Sequence, residues 1–129
     1  YVKQGEGRKF LILDAAMNDL LRPALYDAFH DIWPVTEPAN TKTDVYDVVG
    51  PICETGDTFA QGRVLPEAKE GDLFAFMTAG AYGATMSSTY NSRELAPEVM
   101  VREDVAALAR RRMTVEDQLA LEFMPDWLT

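Results

Sequence analysis

Short blocks of apolar residues follow one another along this chain, separated by proline, glycine and acids. KFLILD, residues 9–14, is an apolar run that ends on an acid and predicts a buried strand. AAMNDLLRPALYDAFHDI comes next. Asn18 is placed to cap a short helical turn, and Pro23 forbids one continuous helix while suiting the first position of a second turn. Leu21, Leu25 and Phe29 then fall on one face. Residues 34–42, PVTEPANTK, read as a loop. In TDVYDVVGP, Val45, Asp47 and Val49 alternate with Tyr46 and Val48, which is the period of a strand, and CETGD is a turn directly after it. VLPEAKEGD is a second loop, LFAFMTAG a strand ending in glycine, and APEVMV a further short strand. VAALARRR, residues 105–112, is rich in helix formers, so propensity alone predicts a helix. TVED has the spacing of a capping box from Thr114 to Asp117, with a helix to about Phe123. At least four strands, with short helices and no regular βαβ alternation, predict a mainly β, mostly antiparallel domain spanning residues 1–129.

Composition narrows the partners. Twelve basic against 21 acidic residues give a net charge of −9, which argues against DNA or RNA. The one basic cluster, Arg110-Arg111-Arg112, is short and reads as a solvated face. The apolar blocks are too short to cross a bilayer. One cysteine leaves no internal disulfide, which fits a reducing compartment, and one cysteine with one histidine does not make a zinc site. The only glycine-rich stretch, GAYG, matches neither phosphate-loop pattern. The chain opens at Tyr1 without an initiator methionine and reads as part of a longer product.

The chemistry-bearing candidates are few. Cys53 lies in a glycine-flanked turn immediately after a strand, beside Glu54 and Asp57. Neighbouring acids disfavour a thiolate, so the residue suits proton donation better than nucleophilic attack, if it is not a small buried hydrophobe. Arg22 and Tyr26 are four apart, and on a helix they share a face. They can clamp a carboxylate, or the arginine can simply pack along the ring. Tyr82 stands between glycines, where backbone can approach a ligand or make a tight turn packed on the core. His30 reads as structural, bonded to a nearby carboxylate, and Asp14 and Asp57 read as turn residues as readily as ligands.

Taken together, LDAAMNDLLRPALYDAFHDI, VVGPICETGD, AGAYGATMSSTYN and APEVMV resemble the C-terminal part of the diaminopimelate decarboxylases, within the fold-type III decarboxylases, in order and spacing over most of residues 1–125. The resemblance implies a C-terminal β-barrel or sandwich-like domain, joined in those enzymes to an N-terminal (β/α)8 barrel. It implies pyridoxal 5′-phosphate as cofactor, decarboxylation of meso-2,6-diaminopimelate to L-lysine and CO2, and a cytoplasmic homodimer with active sites at the subunit interface. On matching positions it implies that Arg22 and Tyr26 bind substrate, Cys53 donates the proton and Glu54 binds the distal amine. Tyr82 would contact both cofactor and substrate. It also implies that VAALARRR is a strand, against its propensity. The Schiff-base lysine belongs in that family to the barrel, and none of Lys3, Lys9, Lys42 and Lys69 stands in its motif. This chain alone is therefore expected to be inactive. Two other readings stay open, a decarboxylase-like binding or regulatory module and a related decarboxylase acting on another basic amino acid.

Overall fold

In the computed structural model of the protein, which describes residues 1–38 and 42–128, eight strands and three short α-helices follow one another. They run β1 (Val2–Gln4), β2 (Lys9–Ile12), α1 (Arg22–Tyr26), β3 (Ile32–Pro34), β4 (Thr43–Val49), β5 (Thr58–Pro66), β6 (Phe74–Phe76), α2 (Gly80–Met86), β7 (Glu98–Arg102), β8 (Val105–Arg110) and α3 (Val115–Leu119). Among the described residues three sheets result, in the orders β1-β2-β4-β5, β3-β6 and β7-β8, and none closes on itself. Their pairs are antiparallel except β2 with β4, which run parallel with Leu11 opposite Val48. The mainly β expectation therefore holds.

The chain divides into two compact units, Tyr1–Ser87 and Ser88–Thr129. The first contains the core, formed by Leu11, Leu20, Ile32, Tyr46, Val48, Phe59, Leu65 and Ala68. Tyr46 and Val48 are the inward positions of β4, as the alternation requires, while Val45 is exposed. The Tyr46 hydroxyl accepts from the Ala68 N–H at 3.0 Å, so the buried phenol keeps a partner. The Phe59 and Phe76 rings meet at 4.8 Å between centroids.

Several local expectations give way. VLPEAKEGD is not all loop, because Val64–Pro66 complete the nine-residue β5. Gly62, at φ +59°, and Pro66 mask that strand in sequence. β5 lies at the sheet edge, where a proline leaves no ladder bond unmade. LFAFMTAG supplies only three strand residues, and Gly80 opens α2 rather than ending a strand. Asn18 caps no helix: it is buried in a turn whose Ala16 N–H is taken by the Asp19 carboxylate at 2.9 Å. α1 begins with proline in its first turn and ends at Tyr26 on a left-handed Asp27, so Phe29 lies beyond it, stacked under the Arg63 guanidinium. Residues 39–41 of the PVTEPANTK loop lie outside the described residues.

In the second unit VAALARRR forms β8, paired with β7 over Val105–Arg110, so strand pairing overrides helix propensity. The capping box forms as spaced. Thr114 accepts from the Asp117 N–H, and the Asp117 carboxylate accepts from the Thr114 N–H. The helix it starts stops at Leu119, short of Phe123.

Candidate functional site

The parallel pairing of β2 and β4 sets the site. Both strands finish at the same end of the sheet, so the segments that follow them emerge side by side. One is residues 13–21, which lead into α1 and Arg22. The other is residues 50–57, which carry Cys53 and Glu54 and turn the chain into β5.

The first segment and α2 assemble a cation–aromatic cluster. Arg22 and Tyr26, one turn apart on α1, bring the guanidinium carbon 5.8 Å from the Tyr26 ring centroid. Tyr82, in the first turn of α2, comes to 4.9 Å from the same guanidinium. α2 packs here through its buried Gly83, which lies against Leu20; a Cβ there would stand at an ordinary contact distance, 3.6 Å, from Leu20 Cδ1. Tyr82 therefore belongs to a helix, not to a tight turn, and the residue is 62% exposed rather than packed in the core. Both readings of Arg22 meet here. A guanidinium held over aromatic rings still has N–H groups to offer a carboxylate.

The second segment is a knot of short backbone bonds. Gly50 N–H donates to the Asp57 carbonyl at 3.0 Å, Glu54 N–H to Ile52 at 2.8 Å, and Asp57 N–H to Glu54 at 3.0 Å. Cys53 is exposed on it. Glu54 lines a cavity of about 360 Å³ together with Arg8, Phe10 and Gln61. Asp57 is a turn residue, buried at 2% exposure, and its carboxylate accepts from Ile52 and Met17. α1 and this loop also share a cavity of about 440 Å³, lined by Pro23, Ala24, Asp27, Thr55, Gly56 and Arg63 among others.

The structure thus gathers Arg22, Tyr26 and Tyr82 into one cluster and sets Cys53 and Glu54 on the adjoining loop. His30 stays outside both. Its Nδ1 lies 3.1 Å from the Met77 carbonyl oxygen, not at a carboxylate, because residues 28–31 run beside the end of β6. Sequence reasoning missed Met17, whose N–H meets Asp57 and whose thioether fills the space beside Gly56. No local signal announces a backbone N–H forty residues from its acceptor.

A family model described as "Pyridoxal-dependent decarboxylase, C-terminal sheet domain" matches residues 1–80, which include every candidate residue except Tyr82. A diaminopimelate decarboxylase from Zymomonas mobilis is 54% identical over 127 residues, 98% of this chain and 30% of that protein. The crystal structure of a diaminopimelate decarboxylase from M. jannaschii superposes with a TM-score of 0.92 at 32% identity, over 100% of this chain and 29% of that one. The Helicobacter pylori enzyme complexed with L-lysine gives a TM-score of 0.84 at 43% identity, over 94% of this chain and 29% of that one. The chain spans about 30% of the length of the curated relatives it matches.

Proposed function

The chain belongs to the pyridoxal-dependent decarboxylases as a C-terminal sheet domain, and from that premise we propose that it forms the C-terminal part of a diaminopimelate decarboxylase. The reaction is loss of CO2 from meso-2,6-diaminopimelate to give L-lysine. The observation that carries this reading is the Arg22 guanidinium lying over the rings of Tyr26 and Tyr82, beside a loop that presents Cys53 and Glu54. Diaminopimelate has two amino-acid ends, and recognition of the far end needs charged groups there. Arg22 suits a carboxylate and Glu54 an ammonium.

The residues fit pyridoxal 5′-phosphate: an exposed phenol next to a guanidinium makes a cationic, aromatic surface for a flat anionic ring. Tyr82 would touch it, and the lysine that holds it would come from an N-terminal (β/α)8 barrel. When bound, the cofactor supplies an electron sink for the carbon that loses CO2. Arg22 and Tyr26 would bind the substrate through a carboxylate, and Glu54 would bind it through its distal amine. The Cys53 S–H bond breaks as its proton forms the new C–H bond at that carbon, and solvent returns a proton to the sulfur. We place Cys53 at the partner subunit's site in a cytoplasmic homodimer. No described helix is long and apolar enough to cross a membrane.

The test uses the full-length enzyme that contains this sequence, loaded with pyridoxal phosphate. It should release L-lysine and CO2 from meso-diaminopimelate. Turnover of ornithine alone would reassign the substrate, and binding without CO2 release would make the domain a non-catalytic module. Cys53→Ala should keep the cofactor absorbance and lower the rate about 10²–10⁴-fold; an unchanged rate removes Cys53 from the reaction. Glu54→Gln should weaken substrate binding through the distal amine.

A further inference from the structure

Within GPICETGD, Asp57 takes no part in the proposed chemistry, yet it is the most buried residue of the segment. Its two carboxylate oxygens do different work. Oδ2 accepts from the Ile52 N–H at 2.6 Å, at the residue that immediately precedes Cys53. Oδ1 accepts from the Met17 N–H at 2.7 Å, in the segment that leads five residues later into Arg22. One side chain therefore bridges the loop that presents Cys53 and the segment that presents Arg22.

The surroundings are shaped to this carboxylate. Gly50 has no positive φ to explain it; it is glycine because a Cβ there would stand 2.6 Å from the Asp57 carboxyl carbon. Gly56 leaves room for Met17, whose Cε would lie 3.3 Å from an added Cβ. The two glycines that flank Cys53 thus serve this bridge rather than an approach to ligand. Two N–H groups converge on two oxygens, and only a carboxylate of this length accepts at both. In an amide of the same shape one position becomes an NH2 that meets an N–H head-on, leaving a buried donor unsatisfied.

We infer that Asp57 is a positioning residue for the reaction, anchoring the Cys53–Glu54 loop through Met17 to the body of its own chain, so that Cys53 is held in one place for the site it enters. The inference rests on the proton-donor reading of Cys53. Small displacements of a reacting group are costly, and about 1 Å can lower a rate by about 10²-fold.

A double-mutant cycle in the cofactor-loaded full-length enzyme tests it, with rates normalised to bound cofactor. Asp57→Asn is expected to lower kcat for diaminopimelate by about tenfold or more, and to raise KM through Glu54. In a Cys53→Ala background, the same substitution should leave kcat within about twofold, because no donor remains to be misplaced, while KM still rises. An equal fall in kcat in both backgrounds would show a general structural role and overturn the positioning role alone. A Cys53→Ala enzyme with full kcat would sink the donor reading, and this inference with it. If the Asp57→Asn protein does not accumulate folded, Asp57→Ser, which still accepts one N–H, runs through the same cycle with the same criteria.

Discussion

Residues 1–87 and residues 88–128 use their strands to opposite ends. The first unit holds all the buried residues among those described, and its strands present alternate faces to a core. In the second, no described residue is buried: every position of β8 is exposed, and Leu121, Phe123 and Trp127 are each at least 80% exposed. What shapes the second unit is directional bonding. It has the β7–β8 ladder, the Arg110–Glu98 ion pair at 2.9 Å, and the bidentate Arg111–Asp117 pair beside the capping box. The contrast teaches that one chain can set its elements on a packed core in one part and hold a hairpin by directional bonds in another. The candidate site belongs to the packed part.

Substitutions should separate the two modes. Leu11→Ala, in the core of the first unit, is expected to cost about 2–5 kcal/mol in chemical denaturation; a cost under about 1 kcal/mol would mean a core looser than its burial implies. Gly50→Ala forces a Cβ into the Asp57 carboxyl and should cost about 1–3 kcal/mol in the same assay. Thr114→Ala removes the cap of α3 and should cost about 1 kcal/mol, read in the exchange of the Glu116–Gln118 amides. The same helix should respond to acid. The Arg111 guanidinium, and then the Thr114 N–H, hold the Asp117 carboxyl well below its ordinary value. A depressed carboxylate contributes stability above its unfolded pKa and loses it as pH falls, so α3 should fray progressively below about pH 4. An Asp117 side-chain resonance that titrates at an ordinary carboxylate pH would break that account. At the small end, Leu121→Ser, at an 82% exposed position, should leave stability within about 0.5 kcal/mol. A large loss there would erase the distinction between the two units.

Legibility in the sequence follows the range of the interactions. The alternation of Tyr46 and Val48 in β4, the apolar run of β2 and the turn carrying Cys53 are fixed by near neighbours and can be read directly. β5 is harder to read, because Gly62 in its middle and Pro66 at its end interrupt the alternation. β8 reads as helix because its alanines and arginines favour one, and only its pairing with β7 decides otherwise. Arg22 and Tyr82 can each be singled out, but nothing local foretells that they meet. They are 60 positions apart and are joined by Gly83 packing on Leu20. The bond from Met17 to Asp57 is hidden for the same reason.

The parallel ladder between β2 and β4 also has a kinetic side. Phe10 pairs with Asp47, 37 positions along the chain, and such a contact closes late because the loop entropy must be met first. Both halves of the candidate site hang from that ladder. The order of events in folding follows: hairpins such as β4–β5 can form early, but Arg22 and Cys53 acquire their mutual placement only once the slow, non-local pairing is complete.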